Sequence, residues 1–313
     1  MAPPTTFADR FVLDSPTGAA LCVRRWRAMA PRAVLLIQHG LAEHGARYDR
    51  AARELAAQGI ETYAHDHRGH GSTTAQDAPL RRFASRDGAS KVLRDTHAVR
   101  ERAEAEHPDT PIFVLGHSLG GTIALIYAER YGAGLGGVLV WNAAIRFGWQ
   151  ERLGTAALRV EKMLKGSDVA SQLFARSTFD AWARSVPDRR TQADWLSHDP
   201  DVVDAYIRDP LCGWTPTVSM VEDILALLRR AGEPEAIASL PSDLPLHLLG
   251  GTQDPATEGG KAVADLGRIL SEGGSRHVET RIVEGARHET LNEIEPHRAD
   301  AMQALIAFID RHG

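Results

Sequence analysis

Three residues far apart in the chain, Ser118, Asp254 and His288, have the types and settings of a proton relay. Ser118 stands in Gly116-His117-Ser118-Leu119-Gly120, after the apolar run Ile112 to Leu115 and ahead of a helix-patterned stretch from Leu119 to Tyr131. A strand, a sharp turn and a helix in that order expose a serine at the apex. The glycines two positions to either side are required because the turn brings backbone segments too close for side chains. A serine hydroxyl is a poor nucleophile until a base takes its proton, so it needs a histidine, and the histidine needs a group to hold it. Asp254 follows the apolar run Leu246 to Leu249, and His288 follows Val278 to Val283. Serine, aspartate and histidine, each just past a strand, is the order expected of a triad on loops at the carboxyl ends of successive parallel strands.

The competing residues sit less well. Asp243 precedes its strand and belongs at the opposite edge of a sheet, and Asp66 ends a strand earlier than the serine. His277 would open a strand, and His297 begins a helix. The structural alternative for Asp254 is an Asx turn before Pro255. A tetrahedral oxyanion also needs preorganised donors, and the backbone N–H of Leu119, at the helix start, supplies one. The backbone N–H of Leu41 supplies the second, in the loop Gln38-His39-Gly40-Leu41-Ala42-Glu43-His44-Gly45, where the small Gly40 lets the chain turn toward the site; the alternative there is a plain strand-to-helix turn. The run His65-Asp66-His67-Arg68-Gly69-His70 approaches the pattern of binuclear metallohydrolases, but Gly69 stands where the second metal needs an aspartate. It is expected to be a loop under the active site, with no metal.

The elements that must position these residues alternate. Residues 32–38, 60–66, 112–115, 137–141, 246–249 and 278–283 have strand character, and 48–58, 88–106, 119–131, 259–271 and 296–311 carry apolar residues at helical spacing. Strands alternating with helices imply a mainly parallel sheet covered on both faces. Residues 10–14 and 21–26 flank Pro16-Thr17-Gly18 and suit an antiparallel hairpin at the sheet edge. From 144 to 216 the alternation stops, and a helical insertion is expected between two core portions, 1–143 and 217–313. Four of the six tryptophans fall there, Trp149, Trp182, Trp195 and Trp214, enough to build a small separate core and to wall an apolar pocket. Within it Ile145, Trp149, Leu153, Ala156, Ala157, Val160, Met163 and Leu164 form an apolar stripe beside Arg146, Arg152, Arg159 and Lys162. Such a stripe lies on a membrane or covers the site; because Glu151 and Glu161 dilute the basic face, covering is expected.

Composition excludes other classes. With 36 Lys and Arg against 41 Asp and Glu, the net charge of -5 offers no basic stripe for nucleic acid. No apolar run approaches the length that spans a bilayer, and Met1 to Phe7 have no basic or apolar leader, so a cytoplasmic protein is expected. Cys22 and Cys212 are too few and too distant for a disulfide framework and read as reduced structural thiols.

These segments resemble the α/β-hydrolase superfamily, and within it the group of monoacylglycerol lipases, lysophospholipases and serine aminopeptidase-like hydrolases. The resemblance is densest at His39-Gly40, Glu43-His44-Gly45, Arg47-Tyr48, Asp66 to Ser72 and Gly116 to Gly121. It resumes at Ser197-His198-Asp199-Pro200, Asp209-Pro210-Leu211, Gly285, His288 and Asn292-Glu293, and is weakest in the insertion. It implies an α/β-hydrolase fold with a helical cap, Ser118 as nucleophile, Asp254 as triad acid, His288 as base, and Leu41 and Leu119 as oxyanion donors. It further implies hydrolysis of a carboxylic ester with one acyl chain, without a cofactor. The alternatives on the same scaffold are a short-chain or polyester-oligomer esterase, a thioesterase or a peptidase. A non-catalytic binder of apolar ligands would be expected to have a damaged triad.

Overall fold

The computed structural model describes residues 8–145 and 149–313, with side chains resuming at residue 152. Its centre is a nine-stranded sheet: β1 (Asp9–Asp14), β2 (Ala19–Trp26), β3 (Ala33–Gln38), β4 (Ile60–His65), β5 (Thr74–Ala75), β6 (Ile112–His117), β7 (Gly137–Trp141), β8 (Leu246–Gly251) and β9 (Val278–Val283). The spatial order is β1-β2-β4-β3-β6-β7-β8-β9, with β5 beside β2. From β4 to β9 every pairing is parallel, while β1, β2 and β5 are antiparallel additions. The expected hairpin is therefore β1 and β2. The two-residue β5 is an element that periodicity could not reveal.

β3, β4, β6, β7 and β8 are buried at every position, as strands covered on both faces must be. β9 lies at the edge and reads Val278-Glu279-Thr280-Arg281-Ile282-Val283, with Glu279 paired to Arg311 and Arg281 to Asp300. Charges on an edge strand oppose pairing with another chain. One face is covered by α2 (Gly88–Glu106), α3 (Leu119–Tyr131) and α10 (Lys261–Glu272), the other by α1 (Asp49–Ala57) and α11 (His297–His312), each beside its own apolar core.

Between β7 and β8 run α4 (Trp149–Lys165), α5 (Gln172–Ser177), α6 (Phe179–Ser185), α7 (Pro200–Arg208), α8 (Val218–Ala231) and α9 (Pro234–Ala238). Trp195, Leu196, Val203, Tyr206 and Cys212 make a separate apolar cluster there, with Phe179 and Trp182 packed against it. α8 goes beyond the sequence expectation, although Thr217 caps it by accepting from Met220 N–H, and Val221, Ile224 and Leu228 recur at helical spacing. Ile224 and Leu227 join the α3 side of the main core, and Val221 meets Leu158 of α4.

The apolar stripe of α4 differs from the expectation. Leu153, Val160, Met163 and Leu164 are exposed, and the helix is anchored instead by Leu158 and by buried Glu161, which receives Ser171 Oγ at 2.6 Å. Arg146 lies outside the described residues, as do the side chains of Trp149 and Glu151. Among the described residues, no helix is long and apolar enough to cross a membrane.

Candidate active site

Ser118 has φ 55° and ψ -117°, in the left-handed region that a side chain rarely occupies. It is held there by Ser118 N–H donating to Trp141 O at 2.8 Å and by close packing of the turn. A Cβ on Gly116 would stand 2.0 Å from Gly120 O, and a Cβ on Gly120 would stand 2.0 Å from Gln38 O. Only glycine allows β6, α3 and β3 to approach this closely. The hydroxyl is thus presented at the mouth of α3, where the Leu119 N–H lies ahead of the helix's own hydrogen-bond ladder.

The histidine and aspartate meet. His288 Nδ1 lies 2.9 Å from Asp254 Oδ1 and 3.0 Å from Oδ2, with both side chains buried. Asp254 Oδ1 also accepts from Ala256 N–H at 2.9 Å, so the Asx turn and the histidine contact coexist on one carboxylate. Asn142, just past β7, donates Nδ2 to Asp254 Oδ2 at 3.1 Å and accepts from Thr290 Oγ1 at 3.1 Å. Burial alone pushes the Asp254 carboxyl up, but His288, Asn142 and Thr257 more than reverse this and hold it below the ordinary range. Asn142 escaped the sequence reading, because nothing in Trp141-Asn142-Ala143 marks it beyond its place at a strand's carboxyl end.

The other carboxylates lie elsewhere. Asp66 accepts from Arg24 at 2.6 Å, from Gly45 N–H at 2.9 Å and from Ser72 N–H at 2.8 Å, which ties the loop after β4 together. Asp243 is exposed and pairs with Arg276 ahead of β8 and β9.

The loop after β3 is fixed from two directions. Gly40 N–H donates to Glu43 Oε1 at 2.5 Å, and a Cβ on Gly40 would meet that oxygen at 2.7 Å and Ser118 Cβ at 3.4 Å. His39 Nε2 accepts from His67 N–H at 2.9 Å, so His39 Nδ1 carries the proton and donates to Gly40 O at 2.7 Å. With that carbonyl held against the buried histidine, a trans peptide sends the Leu41 N–H the opposite way.

Beneath the site lies a buried charged network: Glu43 bonds Tyr48 Oη, His117 Nδ1 and Arg47, and Arg47 reaches Glu289 through both terminal nitrogens. Burial pushes Glu43 up, yet His117, Arg47 and Gly40 N–H bring it far below the usual carboxylate range. Burial lowers His117, and Glu43 more than restores it, so its pKa is raised. The i,i+4 spacing of Glu43 and Arg47 was a legible sign of this network. Its partners His117 and Glu289 were not, because they come from other loops.

Ser118, Leu41, Leu119 and His288 line one cavity with about 840 Å³ of empty space, counting its open mouth. Asp254 stands behind His288. The apolar wall comes from Phe174, Phe179, Trp182, Trp195, Ile224 and Leu228, on α5, α6, the loop after α6 and α8, and none of the described α4 residues contributes. His39, His65, His67 and His70 pile together in the interior, with ring centroids 4.1 Å apart for His39 and His67 and 5.0 Å for His65 and His67. Among the described residues the one set whose ligating atoms converge for a metal is His44, Asp209 and Cys212, within 4.8 Å of one another. His44 Nε2 and Asp209 already satisfy each other at 2.8 Å, and burial pushes the Cys212 thiol up, away from the thiolate a metal needs.

A parallel sheet with a strained strand-to-helix serine and a buried His–Asp pair at its carboxyl edge defines an α/β-hydrolase. The family described as serine aminopeptidase, S33, matches residues 29–295, and the chain belongs to it. Over 267 residues the chain is 29% identical to the monoacylglycerol lipase of Mycolicibacterium smegmatis, covering 85% of this chain and 84% of that protein. It is 34% identical over 130 residues to the monoglyceride lipase of Homo sapiens, a match that covers 41% of each. Among solved structures it is similar to a carboxyl esterase from Bacillus coagulans in complex with glycerol, at a TM-score of 0.87 and 25% identity over 98% of this chain and 99% of that one.

Proposed function

We propose that the protein hydrolyses carboxylic esters with a single acyl chain, of the monoacylglycerol type, through Ser118, His288 and Asp254. The observation that carries this reading is the buried His288–Asp254 pair in reach of a cavity that also holds the strained Ser118. The M. smegmatis lipase likeness supports the substrate class. Ser118 Oγ attacks the ester carbon while His288 Nε2 takes its proton, and Asp254 stabilises the imidazolium. The carbonyl oxygen becomes an oxyanion that the Leu41 and Leu119 N–H groups meet. As the tetrahedral centre collapses, His288 returns the proton to the departing alcohol and leaves an acyl-Ser118 ester. Water, deprotonated by His288, attacks that ester, and the acid departs as the proton returns to Ser118.

The lipid surface on which such esters reside is the partner that the exposed Leu153, Val160, Met163 and Leu164 of α4 suit, with Arg152, Arg159, Lys162 and Lys165 on the same helix.

The test is a panel of p-nitrophenyl esters and monoacylglycerols of increasing chain length, run with a serine-directed fluorophosphonate and with Ser118→Ala. Both should reduce turnover by orders of magnitude, leaving only what the oxyanion donors and binding supply. Substantial hydrolysis by Ser118→Ala, or labelling of another serine, would remove Ser118 from the mechanism. A profile that favours thioesters or peptides would replace the substrate class.

A further inference from the structure

Residues 194–198, between α6 and α7, lie along the His288 loop and are tied to it repeatedly. Glu289 N–H donates to Leu196 O at 2.7 Å, and His288 N–H to Trp195 O at 3.4 Å. Arg287 Nη1 donates to Asp194 O at 2.7 Å and to Ser197 O at 3.0 Å, while His198 N–H meets Glu293 at 3.0 Å. This clasp lays the Trp195 ring 5.0 Å from the His288 ring, at an interplanar angle of 47°. Trp182 lies 6.2 Å from His288 at 29° and 4.8 Å from Trp195, and Phe179 stacks on Trp195. Trp195 is only 6% exposed, and what it shows lines the cavity beside His288.

The charged and titratable groups that face His288 from other elements are Asp254 at Nδ1, His117 with its ring 4.8 Å away, and Glu289 and Glu43 beyond it. Trp195 and Trp182 lie on a further flank of the ring. An aromatic face gains an electrostatic attraction to a cation that it lacks toward a neutral ring. Contact that strengthens only when His288 becomes an imidazolium accelerates the step that creates it.

We propose that Trp195, backed by Trp182, is a positioning residue for the His288 base: it holds the imidazole against Asp254 and stabilises its cationic form as Ser118 loses its proton. This rests on the reading of His288 as the base. The aliphatic alternative, a wall that only excludes water, predicts the opposite response to acid, because shielding disfavours the imidazolium whereas a π face favours it.

The experiment uses p-nitrophenyl acetate, whose acyl group is too short to need the apolar wall. Trp195→Leu should lower kcat about 2- to 30-fold, with KM little changed, and should move the acid limb of kcat/KM to lower pH. Trp195→Phe should restore much of both. In case leucine disrupts folding, the second measurement keeps the native shape: 5-fluoro-, difluoro- and trifluorotryptophan are incorporated into the native chain and into Trp182→Phe/Trp195→Phe. Log kcat should fall stepwise with fluorine number in the native chain and stay flat in the double variant. A flat series in the native chain, or an acid limb that stays put or moves upward in Trp195→Leu, would overturn the proposal. His288→Ala, assayed alongside, separates the two readings. Activity lost there with no fluorine dependence removes only the aromatic role, whereas activity kept there removes the base itself.

Discussion

Asp254 carries contacts that a neutral amide cannot fully replace. Its two oxygens face His288 Nδ1 while they also accept from Asn142 Nδ2 and Ala256 N–H. Asp254→Asn would present an amide N–H to His288 and favour the tautomer with the proton on Nε2, where the base needs its lone pair. The expected loss is on the order of 10⁴-fold in kcat with the fold kept, read by steady-state kinetics with circular dichroism as a check. Asp66→Asn and Asp243→Asn should leave the chemical step nearly unchanged, since Asp66 is spent on Arg24, Gly45 and Ser72 and Asp243 on Arg276. A loss at Asp243 equal to that at Asp254 would refute the assignment. His288, Asn142 and Thr257 outweigh burial and hold the Asp254 carboxyl below its ordinary range, so it stays charged through neutral and mildly acidic pH. Over that range, therefore, an acid loss of activity does not come from protonation of the aspartate.

At the scale of elements, the cavity is walled by segments other than the α4 stripe that was expected to cover it. Phe174, Ile224 and Leu228 line the cavity, whereas Met163 and Leu164 face outward. Each methylene buried in an apolar channel is worth roughly 1 kcal/mol, about five-fold in kcat/KM. Phe174→Ser with Leu228→Ser should flatten the rise of kcat/KM with acyl length and spare acetate esters. Met163→Glu with Leu164→Glu should leave that profile intact for soluble esters and reduce sedimentation with lipid vesicles. If the α4 pair changes the chain-length profile and the wall pair does not, the two roles are exchanged. The turn that carries Ser118 is equally an element property. Gly120→Ala would drive a methyl into Gln38 O, and overpacking of this kind costs about 1–3 kcal/mol or more. A melting temperature equal to that of the native chain would mean the strand-to-helix approach is looser than the distances indicate.

At the scale of the whole molecule, the pile of His39, His65, His67 and His70 makes the interior sensitive to acid. Burial lowers all four, with the neighbouring imidazoles adding to it for His39 and His67, and brings His65 and His70 to about 4. The folded chain holds these rings neutral while the unfolded chain protonates them below about 6.5. The unfolded state therefore binds more protons, and stability present above pH 6.5 is lost as pH falls toward 4. Each ring contributes up to about 1.4 kcal/mol per pH unit across that window. The urea midpoint should fall steeply between pH 7 and 5. A midpoint independent of pH over that interval would mean the rings take up protons within the fold.

What the sequence determined by itself is local. Glycines at fixed offsets around Ser118 and apolar runs short enough to be buried strands set the alternation, and they order Ser118, Asp254 and His288 along one sheet edge, because each signal lies within a few residues. The tertiary structure decided what depends on segments meeting across long separations. Asn142 reaches Asp254 from 112 positions away, and Arg47 reaches Glu289 from 242. The α4 stripe was ambiguous in sequence because amphipathicity states that one face differs from the other, and not which face finds a partner; Leu158 and Glu161 turn inward, and the apolar stripe faces water. The placement of Trp195 against His288 was likewise invisible, since a buried tryptophan reads as core until the chain brings a second ring beside it.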